Sequence, residues 1–191
     1  GEMIKIGRRG SLTGKLKIFG LQGHVAYPHR AINPSTIIVK ILKELKEIRF
    51  DKGTKDFQPT NLEVTKINMS NKADNVIPAM AEATFNIRFN NKHSSNYIKK
   101  KLKRIFSKIS KKNKSKYKIE YKVSGEAFLT KPNKTTFMIQ NIIKKVTNIK
   151  PKLSTTGGTS DLRFIRKISP GLEFGLVGKT MHKVDEEVSV K

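Results

Sequence analysis

The chain has 191 residues, of which 36% are hydrophobic and none is cysteine, and its formal net charge at pH 7 is +25. This length and apolar content allow one domain or two small ones with a packed core. The absence of cysteine excludes disulfide bonds and thiolate metal sites, and it is compatible with a cytoplasmic location. No window approaches 18 consecutive apolar residues, so the sequence offers no membrane-spanning helix.

The large positive charge raises the question of nucleic-acid binding. Of the 40 basic residues, however, only eight are arginines, whereas proteins that read DNA grooves prefer arginine. Proteins that bind single strands interleave aromatic residues with basic ones. In the densest basic run, 99–118, Phe106 instead has helical core spacing. We therefore expect a solvated surface that binds polyanions nonspecifically and in a salt-sensitive way, and no specific nucleic acid.

Six elements are predicted up to Gly125. In chain order they are a strand at 15–20, a helix at 34–50, strands at 61–70 and 81–90, a helix at 95–110 and a strand at 117–125. Apolar residues recur at helical spacing in both helices, and they alternate with polar residues at 81–90. The alternation changes parity near Thr65, which predicts a β-bulge.

This β-α-β-β-α-β order predicts an α+β, ferredoxin-like domain. Right-handed crossovers produce a four-stranded antiparallel sheet with both helices on one face. The other face has no helix, and its positions Thr84, Asn86 and Arg88 are polar. Solvent or a wet interface on that face and a dry interface are both compatible with this pattern.

A different pattern follows Gly125. A helix is predicted at 135–148, then a glycine pair in STTGGTSD, a short helix and a strand at 171–178. These last 66 residues are too few for a well-buried independent domain. We expect them to be the end of an α/β unit whose other strands lie outside the chain, and to expose apolar surface.

Two histidines are candidates for chemistry. His182, in TMHKVDEEV, is of a metal-ligating type, but no second histidine lies nearby, and a surface or capping histidine is the alternative. His24 and His29, in QGHVAYPH, are compatible with a metal pair, with hydrogen bonds to the loop backbone, or with donation to a developing oxyanion. These alternatives stay open at this stage.

Two arginines and one glycine-rich loop are candidates for binding an anion. Arg8 lies between glycines in GRRGS, and an arginine fork matches a carboxylate, although an ordinary basic turn has the same composition. Arg88 faces outward on a strand, where it is either solvated or functional. The loop GGTSD either cradles an anion at a helix start or supplies a helix N-cap.

Several segments of the chain together resemble one family in order and in register. They are GRRGSLTGKL, QGHVAYPH, ADNVIPA, FNIRF, FLTKP, GGTSDLRFI, EFG and TMHKV. They resemble the succinyl-diaminopimelate desuccinylases, zinc-dependent amidohydrolases related to acetylornithine deacetylase. The resemblance implies hydrolysis of N-succinyl-LL-2,6-diaminopimelate to succinate and LL-2,6-diaminopimelate in lysine and diaminopimelate biosynthesis.

The family's architecture implies domain boundaries for this chain. Residues 1–7 would end a first catalytic-domain segment, 8–125 would form a ferredoxin-like dimerisation domain, and 126–191 would form the carboxy-terminal segment of the catalytic domain. The family's amino-terminal metal ligands have no counterpart here, and the chain begins at a glycine. We therefore expect a fragment of a longer homodimeric enzyme, inactive alone because one histidine cannot hold two zinc ions.

The resemblance also implies roles for individual residues. His182 would be the last metal ligand of a site with two zinc, or cobalt, ions, and His24 would be catalytic, reaching the partner's active site to stabilise the oxyanion. Substrate-binding positions would be Arg8, Ser11, Asn75, Arg88, Gly158 and Thr159. Asp74 and Gly178 depart from the family pattern, each where relatives often have asparagine.

Three alternatives remain, one of which is that the chain serves only as a dimerisation module. A sister amidohydrolase would act on N-acetylornithine or a peptide. An RNA-binding module shares the order of elements but needs aromatic residues on the exposed sheet face. The inward parity of Phe85 and Phe89 argues against the RNA-binding alternative.

Overall fold

The computed structural model describes residues 2–69, 71, 73–158, 160–175, 178 and 180–188. They divide into two compact units: a sheet unit, Gly10–Ala127, and a flanking unit, Gly1–Arg9 with Phe128–Lys191. The strands are β1 (Met3–Lys5), β2 (Gly7–Arg8), β3 (Gly10–Phe19), β4 (Gly23–His24), β5 (Asn61–Met69), β6 (Val76–Ile77), β7 (Met80–Phe89), β8 (Lys116–Gly125), β9 (Phe128–Leu129) and β10 (Lys152–Ser154). The helices are α1 (Pro34–Glu47), α2 (Ser95–Lys112), α3 (Lys134–Thr147) and α4 (Leu162–Ile165).

The sheet unit has the predicted ferredoxin-like topology. Its four long strands lie in the order β5-β7-β3-β8, and every neighbouring pair is antiparallel. Both α1 and α2 contribute to one core with the inward side chains of the sheet. The fully buried residues of that core include Leu12, Leu16, Ile38, Ile41, Phe85, Phe89, Ile98 and Phe106. The predicted mixed α/β fold class is therefore confirmed.

Side-chain caps fix where the two helices begin. The Asn33 side chain accepts a hydrogen bond from the Ser35 amide at 2.9 Å, and Pro34 occupies the first helical position. Ser94 caps α2 through the Tyr97 amide at 3.2 Å. Helix α1 ends at Glu47, three residues earlier than predicted, because Ile48 has extended backbone angles.

Strand β3 begins at Gly10, five residues before the predicted start. Two of the three inward positions of that extension, on either side of the buried Leu12, are Gly10 and Gly14. A Cβ at Gly10 would overlap the ring of Phe89, and a Cβ at Gly14 would overlap the ring of Phe85. Glycine here makes room for a neighbouring aromatic ring, so the strand lacks the apolar alternation that sequence analysis detects. The bulge predicted near Thr65 is confirmed by a register shift between Val64 and Lys66.

The flanking unit contains two short ladders and helix α3. Strand β1 pairs with β10 in parallel, and β2 pairs with β9 in antiparallel orientation. An Asn133–Thr136 capping box begins α3, and Ile143 packs with Ile4 and Ile6. The strand predicted at 171–178 is wrong for the described part of that range, where a single bridge joins Glu173 to Lys5. Lys5 lies in β1, which has only three residues, and its bridge to Glu173 does not extend into a ladder among the described residues.

Among the described residues, no helix has both the length and the apolar character needed to cross a bilayer.

Candidate active-site residues

His24 and Asn75 come together on a two-stranded ladder of the sheet unit. Strand β4 pairs with β6 so that His24 lies opposite Val76. The Val25 amide donates to the Asn75 carbonyl at 3.1 Å. Both His24 and Asn75 are exposed. The ladder therefore presents two of the candidate residues side by side to solvent.

The environment of His24 fixes which ring nitrogen can donate. Its Nδ1 accepts a hydrogen bond from the Ala26 amide at 3.1 Å. A neutral imidazole has one donor and one acceptor nitrogen, so we assign the proton to Nε2. Gly23 is required beside it, because a Cβ there would lie 2.9 Å from the Cβ of Ala31. The loop thus presents His24 as a hydrogen-bond donor.

The metal pair considered for His24 and His29 receives no support. The ring of Tyr27 contacts both imidazoles, at centroid distances of 6.0 Å and 6.3 Å. Within the described ranges, no group of three or more His, Cys, Asp or Glu side chains could hold a metal ion. His29 is an exposed residue of a short 3-10 helix, Pro28–Arg30, and its ring contacts Tyr27.

Ser11 and Arg88 are directly opposite each other on β3 and β7. Both lie on the face of the sheet that has no helix, where Ser11 is buried and Arg88 is half-buried. The Asn86 side chain donates to Ser11 Oγ at 3.4 Å and to Thr13 Oγ1 at 2.9 Å. Strand register therefore brings two candidate substrate-binding residues together.

That same face does not provide an RNA-binding platform on β7. Phe85 and Phe89 are completely buried on the opposite, helix-covered side, as their parity predicted. The helix-free face instead has charged pairs such as Lys17–Glu82, with an N–O distance of 2.7 Å. This contradicts the aromatic stacking that RNA recognition by such a sheet requires.

In the flanking unit, Arg8 is bound by residues that are distant in sequence. Its Nε and Nη2 donate to Glu173 Oε2 at 3.0 Å and 2.5 Å, and its Nη1 donates to the Thr156 carbonyl at 2.6 Å. The Arg8 side chain is 14% exposed. Sequence analysis did not single out Glu173, although one acidic residue within the apolar GLEFGL was a weak signal.

The glycine pair of the GGTSD loop lies next to this arginine. Gly157 has φ +106°, and a Cβ there would overlap Arg8 Nη1. Gly158 is exposed and has open space around its Cα. Thr159 lies outside the described residues. The structure therefore brings the predicted Arg8 and Gly158 positions together, through a loop that needs glycine at 157.

Lys5 is a second cation beside Arg8, and together with Glu173 the two form a charged cluster. Its Nζ donates to Thr156 Oγ1 at 2.8 Å and to Ser154 Oγ at 3.2 Å. Burial and the positive charge of Arg8 lower the pKa of Lys5, and the Glu173 carboxylate partly opposes that shift.

His182 occupies a tight turn in the flanking unit. Thr180 closes the turn by two hydrogen bonds with the backbone of Glu187, at 2.9 Å and 3.0 Å. The His182 amide donates to Glu186 Oε2 at 3.2 Å. His182 has φ +63°, a left-handed conformation that is uncommon outside glycine and that clusters at functional sites. The turn presents an exposed imidazole.

Because a catalytic zinc takes three or more protein ligands, His182 alone does not fit a zinc ion. The part of the chain that the structure describes contains no complete ligand group. Asp74 and Gly178, the two departures from the family pattern, are both exposed.

Comparison with known proteins assigns the family. Residues 6–114 match the model of the peptidase dimerisation domain. The chain belongs to this family. Over 190 residues it is 76% identical to the succinyl-diaminopimelate desuccinylase of Pelagibacter ubique, covering 100% of this chain and 50% of that protein. It is 50% identical to the desuccinylase of Rickettsia felis over 190 residues, with the same shares covered. The resemblance seen in the motifs is thereby confirmed.

The chain spans about half the length of the curated relatives it matches. Among solved structures, a tripeptidase from Staphylococcus aureus is similar with a TM-score of 0.80 and 17% identity, covering 97% of this chain and 48% of that one. Aminopeptidase PepT from Bacillus cereus is similar with a TM-score of 0.75 and 14% identity, covering 95% and 48%. At these identities the likeness establishes the fold alone.

Proposed function

We propose that this chain is the dimerisation domain and the carboxy-terminal catalytic segment of a cytoplasmic succinyl-diaminopimelate desuccinylase. The complete enzyme would hydrolyse N-succinyl-LL-2,6-diaminopimelate to succinate and LL-2,6-diaminopimelate. The observation that carries this proposal is the 76% identity, along the whole chain, to a protein of that name. The remainder of the longer polypeptide would complete the active site.

The proposed domain boundaries are those at 8 and 125. The compact units are divided after Arg9 and after Ala127, within two residues of each proposed boundary, and this supports them. The match to a dimerisation domain over 6–114 supports the proposed homodimer.

His24 is the proposed oxyanion donor. In the proposed homodimer it acts in the partner subunit's active site, where its Nε2–H donates to the amide oxygen as negative charge develops there. The contact between Nδ1 and the Ala26 amide supports this role, because it leaves the proton on Nε2. Loss of a single oxyanion donor typically costs about 10²–10³ in turnover.

The proposed substrate-binding residues suit an anionic amide. Arg8 and Arg88 would neutralise substrate carboxylates, since a guanidinium presents its N–H groups in a fork that matches a carboxylate. Ser11 lies opposite Arg88, and Gly158 lies beside the loop that contacts Arg8. Asn75, on the ladder with His24, and Thr159 complete the proposed set.

The proposed enzyme is metal-dependent, with two zinc, or cobalt, ions. His182 would supply one ligand, and its left-handed backbone supports a specialised role. Metal ions held there would supply an acidified water and a polarised substrate carbonyl. The other ligands would come from the rest of the polypeptide, so the isolated chain should be inactive.

The test of specificity compares substrates with the complete, metal-loaded polypeptide. We expect turnover of N-succinyl-LL-2,6-diaminopimelate to exceed that of N-acetylornithine and of a tripeptide by orders of magnitude in kcat/KM. Preference for either of the other two substrates would replace the proposal with a sister amidohydrolase or a peptidase.

The proposed action of His24 in the partner subunit's active site has a sharper test. His24→Ala should lower kcat by about 10²–10³, and His182→Ala should abolish activity. Random mixing of the two inactive variants gives about one half heterodimers, each with one intact site, so about a quarter of wild-type activity should return. If His24 serves its own subunit's site, mixing restores nothing. Sedimentation of both variants controls for loss of the dimer.

A further inference from the structure

Glu173 has a place in the flanking unit that the proposed function does not use. Its backbone is fixed by two hydrogen bonds with Lys5, at 2.7 Å and 3.0 Å, and its side chain is 24% exposed. One carboxylate oxygen accepts from both Nε and Nη2 of Arg8. Within the described part of the chain, no other acidic side chain is paired with Arg8.

The contacts of Arg8 leave part of its guanidinium available. The group has five N–H donors in a planar fork. Glu173 takes one from Nε and one from Nη2, and the Thr156 carbonyl takes one from Nη1. Among the described residues, the other two N–H groups, one on each terminal nitrogen, have no hydrogen-bond acceptor. We therefore infer that the end of the fork can bind a carboxylate. Glu173 occupies the side of the fork and determines where that end points.

The charges of the cluster match a single anionic group. Lys5 and Arg8 are both cationic, and their proximity contributes to lowering the pKa of Lys5. Glu173 offsets one of the two positive charges, so the cluster has a net charge of +1. Such a cluster neutralises one carboxylate without attracting a second.

From this geometry we propose that Glu173 is a positioning residue for substrate binding: it holds Arg8 so that the free end of the guanidinium binds one carboxylate of the substrate. The inference rests on the proposed function, because Arg8 is a substrate-binding residue only in that context. Glu173 itself does not touch the substrate. Its contribution is to keep Arg8 in one orientation before the substrate arrives.

The test is a double-mutant cycle in the complete, metal-loaded enzyme. Glu173→Ala should raise KM about tenfold and change kcat less than twofold, because a displaced arginine weakens binding of the substrate and its transition state alike. Glu173→Gln keeps a carbonyl acceptor and should recover most of the loss. In an Arg8→Ala background, Glu173→Ala should change KM less than twofold, because Glu173 would act only through Arg8. The matched control is Glu120→Ala, which removes an exposed carboxylate paired with Lys118.

A spectroscopic readout covers the case in which the alanine variant folds poorly. In the 191-residue chain, the Nε–H resonance of Arg8 should exchange slowly with solvent. Glu173→Leu, which removes both acceptor oxygens, should accelerate that exchange at least several-fold, and Glu173→Gln should accelerate it less. An unchanged KM in Glu173→Ala, or an equal rise in KM in the presence and absence of Arg8, overturns the inference. A wild-type enzyme that does not hydrolyse succinyl-diaminopimelate overturns the proposed function instead, and the exchange measurement then decides on Glu173 separately.

Discussion

Replacement of Asp51 by alanine should destabilise the sheet unit more than any surface change. The Asp51 carboxylate is 5% exposed and lies between the end of α1 and the start of α2. It accepts hydrogen bonds from the Gly53 amide at 2.6 Å, from Asn90 Nδ2 at 2.6 Å, from the Thr60 amide at 3.3 Å and from His93 Nε2 at 3.1 Å. One carboxylate thus ties the 51–60 loop to the segment that connects β7 with α2.

The expected loss of stability follows from the hydrogen-bond donors that Asp51→Ala would leave without an acceptor. Each hydrogen bond to a charged group contributes about 1.5–3 kcal/mol, but water entering the vacated space recovers part of this. Removal of one partner from a buried charged network costs about 3–5 kcal/mol. We therefore expect Asp51→Ala to lower the free energy of unfolding by about 4 kcal/mol.

Urea unfolding of the chain, followed by far-UV circular dichroism, measures this loss. The NMR signals of His93, which stacks on Tyr97 at 5.1 Å, report on the sheet unit specifically. Glu120→Ala is the control, because its pair with Lys118 is exposed to solvent and exposed ion pairs contribute little to stability. An Asp51→Ala protein within 1 kcal/mol of wild type would refute the reasoning.

The same network predicts a dependence on pH. Burial by itself raises the pKa of Asp51, but hydrogen bonds from Thr60, Gly53 and Asn90 outweigh burial and hold that pKa below its ordinary value. A carboxyl whose pKa is lowered by folding stabilises the folded state above its unfolded pKa, about 3.9. The difference in stability between wild type and Asp51→Ala should therefore be constant above about pH 5 and shrink as the pH falls below about 4.

Two further predictions concern the core of the sheet unit. Burial raises the pKa of Tyr121, whose hydroxyl has no hydrogen-bond partner among the described residues. Tyr121→Phe should therefore match or exceed wild-type stability in urea, whereas Tyr117→Phe, which loses a hydroxyl 2.8 Å from a serine hydroxyl, should lose about 1 kcal/mol. Gly14→Ala would force a methyl group against the ring of Phe85 and should cost about 1–3 kcal/mol, while Gly158→Ala, at an open position, should cost far less. Equal costs for the two glycines would show that the ring of Phe85 moves aside.

The sequence predicted strands and helices well where the periodic pattern of apolar residues lies within a single strand or helix. The strand around Phe85 and the helix containing Ile98 alternate or repeat apolar residues at the expected period, and both begin within one residue of prediction. The extension of β3 over Gly10 and Gly14 was not predicted, because its inward volume is filled by rings from β7. A single strand's pattern does not record what its neighbour contributes.

The contacts of the candidate residues could not be predicted from the sequence. Order and register of motifs located Arg8, but its partner Glu173 is 165 positions away. No periodicity in the sequence connects residues so far apart. Glu173 lies beside Arg8 because its backbone forms an isolated bridge with Lys5. His93 was likewise not singled out from the sequence. It hydrogen-bonds to Asp51, which lies 42 residues earlier in the chain, after α1.

Helix α3 shows that a sequence pattern can predict a helix without predicting which of its apolar side chains are buried. Its predicted apolar residues are present, yet only Ile143 among them is buried, and Phe137, Met138, Ile142 and Val146 are 49%, 55%, 51% and 80% exposed. Four large apolar side chains on one short helix far exceed the single exposed residues that soluble surfaces tolerate. The relatives are about twice as long as this chain. These exposed side chains accord with the expectation that residues 126–191 expose apolar surface. Under the proposed function, this face of α3 would pack against the remaining polypeptide.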